Sequence, residues 1–219
     1  MILGLIYVIL MRINALEGEI MNFPDHTGLQ HIKNLYGSEA FDKSVQLAYS
    51  SKTLFQKTKE LVNGDRIGEV VFAVQRPNGK WICVRSKEYP EGVFRIPTGG
   101  IKHGEDILEA VKREVHEELG LTAEIVKFIG TYTILFTHEN DQVPFYSFLF
   151  HLKELSGRLL EDATDDEVCE VTEADCERLC ALSQKLLTLE NPWSDWGLFR
   201  NLTTSAIYDY MIINQKVTP

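Results

Sequence analysis

The chain has 219 residues, 44% of them hydrophobic and 25% charged, with 15 Gly and 7 Pro. That composition belongs to a folded globular protein and excludes a disordered chain, a collagen-like repeat and a disulfide-dense miniprotein. With 22 Lys and Arg against 32 Asp and Glu, the formal net charge is -10, which excludes a general nucleic-acid binder; a phosphate-bearing ligand would need a carboxylate-held divalent cation instead of a basic surface.

Residues 1–11 read MILGLIYVILM, an apolar run too short for a bilayer-spanning helix, which needs about 20 residues. No Lys or Arg precedes it and Arg12 follows, the reverse of a secretory signal, so stable membrane insertion is not expected. Met11 and Met21 are both possible starts. The leading reading begins translation at Met21 and treats residues 1–20 as an extension; a peripheral anchor or a core-packed strand are the alternatives.

Residues 38–62 carry a helical pattern, with Phe41, Val45, Ala48, Phe55 and Val62 on one face, and the pattern breaks at the turn Asn63-Gly64-Asp65. Two β-branched and aromatic runs follow, at 69–75 and 80–85, joined by Asn78-Gly79, a strong hairpin signal. Residues 92–97 lead into Thr98-Gly99-Gly100, and a helix spans 106–119, stopped by Gly120. Strands are expected at 124–136 and 143–152, around a polar loop at 137–142, and the run 161–167 reads as an exposed acidic loop. Helices close the chain at 173–189, with Leu179, Leu182, Leu186 and Leu187 facing the core, and at 198–213, with Asn191-Pro192 between them. Cys83, Cys169, Cys176 and Cys180 form no CxxC pair and read as reduced structural thiols. Strands around one embedded helix make a mixed α/β domain over residues 65–190. It follows an uncertain extension (1–20) and a helical segment (21–64), and precedes a C-terminal helical segment (191–219).

The embedded helix holds the chemistry. At about 100° per residue, Ile107, Leu108, Val111, Val115 and Leu119 share a buried face. Glu114, Glu117 and Glu118 are spaced i, i+3, i+4, so their carboxylates converge on an arc that partly overlaps the apolar stripe. They repel one another, approach a desolvating face, and stand at the C-terminal end, where the helix dipole disfavours anions. Local rules broken together in this way mark a functional site.

Gly99, Glu105, the run Arg113-Glu114-Val115, Glu117-Glu118 and Gly120-Leu121 stand at fixed offsets that together resemble the Nudix box, with no departure at any specified position. The resemblance covers residues 99–121 directly and about 66–172 loosely. It implies a Nudix-type α/β/α sandwich with a mixed sheet, and a pyrophosphohydrolase that cleaves a nucleoside diphosphate linked to another moiety. It also implies Mg²⁺ or Mn²⁺ held by Glu114, Glu117 and Glu118 with the Thr98 carbonyl, and Glu117 or Glu114 as catalytic base. Gly99, Gly100 and Gly104 serve the turns around the helix start, Gly120 closes the helix, and Glu105 with Arg113 forms an orienting ion pair.

His138 and Glu139, with Asp141, are candidates for a further acid or base, and Tyr89 and Phe94 for base stacking or pocket lining. Outside the box nothing singles out a substrate subgroup. The rival function is a Nudix-like module that senses a nucleotide without cleaving it; the intact carboxylates favour hydrolysis. The expected partner is a small nucleotide-type diphosphate, in a cytoplasmic protein that is a candidate homodimer.

Overall fold

The computed structural model of the protein describes residues 12–15 and 28–215. In chain order the elements are β1 (Ile13–Ala15), α1 (Leu29–Tyr36), β2 (Phe41–Ala48), α2 (Lys52–Gly64), β3 (Arg66–Gln75), β4 (Trp81–Ser86), β5 (Thr98–Lys102), α3 (Ile107–Leu119), β6 (Leu121–His138), β7 (Asp141–Gly157), β8 (Val168–Ala174), α4 (Cys176–Leu187) and α5 (Ser194–Gln215). The apolar run at residues 1–11 lies outside the described residues. Among the described residues no helix is long and apolar enough to cross a membrane.

β3 shows why the molecule is layered. Val70, Phe72 and Val74 enter one apolar cluster, Val71 and Ala73 the other, and all five are fully buried. A strand covered on both faces reads as a continuous apolar run. The cluster that holds Val71 and Ala73 is closed by Phe55 of α2, Leu179 and Leu182 of α4, and Leu198 and Ile207 of α5. The cluster that holds Val70, Phe72 and Val74 is closed by Ile32 of α1 and by Ile107, Val111, Val115 and Leu119 of α3. Between these helical layers the strands run β1-β2-β6-β7-β3-β4-β8, with β5 paired to β3. β2 lies parallel to β6 and β3 parallel to β7, while the other pairs are antiparallel. The fold is therefore an α/β/α sandwich with a mixed sheet. The Asn78-Gly79 turn forms as the spacing predicts: Gly79 takes φ 82°, and the Arg76 amide donates to the Lys80 carbonyl at 2.8 Å.

Three elements differ from the sequence reading. The helix expected over 38–62 is a strand followed by a helix: β2 pairs with β6 from Phe41↔Gly130 to Ala48↔Thr137. Val45, Leu47 and Tyr49 are buried at a period of two, which the helical spacing of Phe41, Val45 and Ala48 masked. The helical part starts only after Ser51, whose hydroxyl accepts from the Leu54 amide at 3.2 Å as an N-cap. The loop expected at 137–142 shrinks to Glu139-Asn140, because β6 and β7 stay paired out to His138↔Asp141, and Glu139 takes a left-handed φ of 52°. The helix expected at 173–189 starts at Cys176 on an Asp175 cap; Glu173 and Ala174 belong to β8, which pairs with β4.

Two buried polar groups knit the layers. Asp195, at 0% exposure in the first turn of α5, accepts from the Ser50 hydroxyl at 2.9 Å, the Ser51 amide at 2.7 Å and the Arg12 guanidinium. One carboxylate thus joins the N-terminal arm, the β2–α2 connection and α5. His151 packs on Trp81 at 4.6 Å between ring centroids, with Nδ1 2.9 Å from the Tyr210 hydroxyl. None of the four cysteines is in a disulfide, and burial pushes the Cys83 thiol up to about 12.

Two predictions follow from these groups. Asp195→Ala strands buried donors and lowers unfolding free energy by about 3 kcal/mol in urea titration. Burial, reinforced by Lys153, lowers the His151 pKa from 6.5 to about 4. Between those values the unfolded chain binds a proton that the folded chain does not. The contribution is therefore fully present above pH 6.5 and is lost as pH falls toward 4. Melting temperature measured against pH will decline across that window, and His151→Phe will flatten the decline.

Candidate active site

The site is built outward from α3. Asp106 caps it, its Oδ1 accepting from the Leu108 amide at 2.9 Å and the Glu109 amide at 3.2 Å. Gly120 ends it in the left-handed region at φ 69°. Ile107, Val111, Val115 and Leu119 are buried as expected, Leu108 only partly, and Glu118 is buried with them at 4% exposure. The predicted overlap of the carboxylate arc with the apolar stripe is realised at that one residue.

Arg113 organises the acidic side. Its Nε donates to Glu105 Oε1 at 2.7 Å and its Nη2 to Glu105 Oε2 at 2.9 Å. Nη2 also reaches the Gly100 carbonyl at 2.9 Å, while Nη1 donates to Glu114 at 2.6 Å and to Glu117 at 2.8 Å. The Glu105–Arg113 pair expected from the sequence is formed, and it is bidentate. Burial works against ionising Glu105, but hydrogen bonds from Arg113 and the Lys102 amide outweigh it and hold the carboxyl below its ordinary range. At Glu114 the balance reverses: burial raises the pKa despite Arg113.

Glu118 is the extreme case. Burial pushes its carboxyl up to about 8 against the pull of Arg95, and its Oε2 has no hydrogen-bond partner. A buried carboxylate oxygen left without a donor is costly and calls for a ligand or cation. Among the described residues no group of three His, Cys, Asp or Glu side chains is already gathered to hold a metal ion. Arg113 draws Glu114 and Glu117 toward itself, and Glu118 keeps its orphan oxygen. Three carboxylates nonetheless make an all-oxygen donor set that fits a hard divalent cation.

The glycines before the helix do something other than turn. Gly99 and Gly100 lie inside β5, paired with Val70 and Glu69 of β3. A Cβ on Gly99 would fall 2.1 Å from the Glu114 side chain, so this glycine is the gap through which Glu114 passes. Gly104, at φ 77°, does open the start of the helix. Thr98 is buried in β5 opposite Val71.

These residues open onto a cavity of about 740 Å³, whose lining includes Thr98, Gly99, Arg113, Glu114, Glu117 and Glu118. Residues that the sequence reading missed join them there. Asp165 and Glu167 are exposed, as the sequence reading has them, and they also line the cavity because their loop folds onto the end of α3: the Thr164 and Asp165 amides donate to the Glu117 carbonyl at 3.1 and 2.9 Å. Arg95 is buried, with Nε 3.0 Å from the Tyr89 hydroxyl and Nη1 2.9 Å from the Ile96 carbonyl. Arg200 donates to buried Glu69 at 2.6 Å, and Glu69 also accepts from the Ser147 hydroxyl at 2.9 Å. The acidic run was a visible signal for Asp165 and Glu167; nothing local marked Arg95 or Arg200.

The hairpin-tip candidates are held elsewhere, and none of them lines the cavity. His138 Nδ1 lies 2.9 Å from the Tyr49 carbonyl, Asp141 pairs with Lys59 at 2.6 Å, and Glu139 is exposed at the turn. Phe94 is core, whereas Tyr89 lines the cavity.

The Gly99 gap predicts an asymmetric pair of variants. Gly99→Ala will expel Glu114 from its place and lower unfolding free energy by about 1–3 kcal/mol in urea. Gly64→Ala, with open space around its position at the end of α2, will be neutral or stabilising by up to about 1 kcal/mol.

A family model described as the NUDIX domain matches residues 65–197. Among solved structures the chain is similar to a NUDIX hydrolase from Nitrosomonas europaea, at 19% identity and a TM-score of 0.48, over 66% of this chain and 88% of that one. It is similar also to a MutT protein from Methanosarcina mazei Go1, at 21% identity and a TM-score of 0.40, over 62% and 91% of the two chains. The dihydroneopterin triphosphate pyrophosphohydrolase of E. coli aligns at 16% identity and a TM-score of 0.42, over 68% and 97%. The family match spans more than half of the chain and contains the complete box around Arg113, so the chain belongs to the Nudix family, whose members hydrolyse pyrophosphate bonds.

Proposed function

We propose that the protein catalyses divalent-metal-dependent hydrolysis of the pyrophosphate bond in a nucleoside diphosphate linked to another moiety. The observation that carries this reading is the orphan oxygen of buried Glu118, in one cavity with Glu114 and Glu117. In this reading Glu114, Glu117 and Glu118, with the Thr98 carbonyl, hold Mg²⁺ or Mn²⁺. When bound, such a cation neutralises the diphosphate, polarises its phosphorus and lowers the pKa of a water.

The chain's own groups do the rest. Arg113, already committed to five contacts, fixes the loop before α3 against the helix and holds the Glu114 and Glu117 carboxylates in place beside it. Glu117, the more exposed of those two, accepts the proton of the attacking water, with Glu114 as the alternative base. Arg95 and Arg200 face the cavity as guanidiniums and attract the anionic substrate. The small size of the cavity and the net charge of -10 favour a small nucleotide-type diphosphate over a nucleic acid. Four cysteines, none of them in a disulfide, favour a reducing, cytoplasmic setting. Residues 65–190 would form the catalytic unit, flanked by 21–64 and 191–219.

The test is product release from ADP-ribose, nucleotide sugars, NADH, dinucleoside polyphosphates and nucleoside triphosphates with Mg²⁺ or Mn²⁺. Metal-dependent cleavage by the wild type, reduced at least about a hundredfold in kcat by Glu118→Gln, is the expected result. A silent wild type that still binds nucleotide by calorimetry would instead identify a sensing module.

A further inference from the structure

A buried carboxylate at the start of α5 stands outside the hydrolytic reading. Asp195 accepts from the Ser50 hydroxyl, 2.9 Å from Oδ1 and 3.2 Å from Oδ2, and from the Ser51 amide at 2.7 Å. Those donors are neutral, and the residue is fully buried. Among the described residues one cation reaches the carboxylate, Arg12, whose Nη2 donates to Oδ1. A buried charge without a counter-charge is costly, so Asp195 depends on a residue 183 positions earlier in the chain. β1 sets that residue in place: the pairs Ile13↔Leu47, Asn14↔Gln46 and Ala15↔Val45 lay the arm along β2. The guanidinium then spans two acceptors, its Nη2 and Nε reaching the Ala48 carbonyl at 3.1 and 3.4 Å while Nη2 also serves Asp195. A lysine ammonium has no fork with which to do both.

Asp195 clamps two walls of the catalytic cavity to each other. Ser51, Leu54 and Thr58 line it from α2 and its cap, and Trp196, Phe199 and Arg200 line it from α5. Among the described residues every hydrogen bond between 49–58 and 192–200 ends on Asp195. The next part of α5 is fastened to α4 instead, with Asn201 donating to the Ser183 carbonyl at 2.9 Å and to its hydroxyl at 2.7 Å. The spacing of the two walls thus depends on one carboxylate, and its charge is balanced by the N-terminal arm.

We infer that Arg12 is a positioning residue for the catalytic cavity: by neutralising Asp195 it fixes the start of α5 against the start of α2. The assignment rests on the pyrophosphatase reading for its effect on turnover but not for the shape of the cavity. Stripped of Arg12, the Asp195 carboxyl group either takes a proton, which weakens its hold on the Ser51 amide, or turns toward water. Both changes loosen the turn that presents Trp196 and Arg200 to the cavity. The arm at residues 12–15 is then part of the working unit, outside the region 65–190 marked by the sequence. A chain begun at Met21 would carry Asp195 without its cation.

The test compares Arg12→Met, Arg12→Lys and the double variant Arg12→Met with Asp195→Asn, all in the full chain. Leu152→Ala, a truncation in the cluster under α1 and α3, is the control for lost stability alone. Two quantities are read well below each melting temperature: KM and kcat for the best substrate of the panel, and acrylamide quenching of tryptophan emission. Trp193 and Trp196 line the cavity while Trp81 lies in the core, so quenching reports on the start of α5. Arg12→Met raises KM about tenfold with little change in kcat, and it increases quenching. Arg12→Lys shows a smaller change in both, and the double variant, with no buried charge left unpaired, recovers most of the loss. Leu152→Ala lowers the melting temperature and moves neither quantity. If Arg12→Met melts earlier but keeps the KM and quenching of the wild type, the arm is a structural strap and the positioning role is overturned. Should Arg12→Met fail to fold, Arg12→Lys decides by the same two readings. A wild type that cleaves nothing sinks the hydrolase reading alone, and quenching then decides the role of Arg12 by itself.

Discussion

One guanidinium decides whether the acidic site can exist at all. Glu114 and Glu117 stand one turn apart at the C-terminal end of a helix, where each repels the other and both oppose the dipole. Arg113 answers by donating to both, while its other edge holds Glu105 and the Gly100 carbonyl. Strand β5, the loop after it and helix α3 are thereby fixed to one planar group. A lysine cannot do this, because a point charge lacks the fork that reaches four partners at set angles. Glu118 is left out of the network, and its buried, orphaned oxygen is the consequence.

The rest of the architecture brings distant segments to that fork. β5 pairs with β3 so that Gly99 opens beside Glu114, and no other residue type leaves the side chain room. The loop after β7 returns to α3 and gives its amides to the helix's last carbonyls, carrying Asp165 and Glu167 into the cavity. From the other layer, α2 and the start of α5 close over the same space, and buried Asp195 holds those two helices to one another. Helix packing on both faces of a mixed sheet is what lets residues as far apart as Tyr49 and Arg200 line one cavity.

How much of this is legible in the sequence follows the range of the interaction involved. The box helix is legible to its caps, since Asp106, Gly120 and the apolar spacing are all local; even the burial of Glu118 follows from the overlap of two arcs. β2 is not legible: its partner, residues 130–137, lies far along the chain, and both a helical and an alternating pattern fit its apolar residues until that pairing decides. The role of Gly99 is half legible, because a required glycine can be read from the motif while its clash with Glu114 needs three dimensions. Trp193, just before α5, and Trp196, in its first turn, also line the cavity, yet they carry no periodic signal that would place them there.

This division has a physical basis in what each part of the site must do. Pyrophosphate chemistry needs carboxylates set within a few ångströms of each other, which one helix with a fixed i, i+3, i+4 spacing supplies locally. The rest of the cavity lining comes from segments far along the chain, Tyr49 and Arg200 among them. The acidic molecule, at -10 overall, repels an anionic ligand at a distance, but salt screens that field within about 8 Å. Inside the cavity the nearest charges dominate instead, with Arg95 buried there and Arg200 partly buried, where screening is weakest. Each is fixed by a neighbour, Arg95 by the Tyr89 hydroxyl and Arg200 by the buried Glu69 carboxylate, so both guanidiniums hold their place without a ligand.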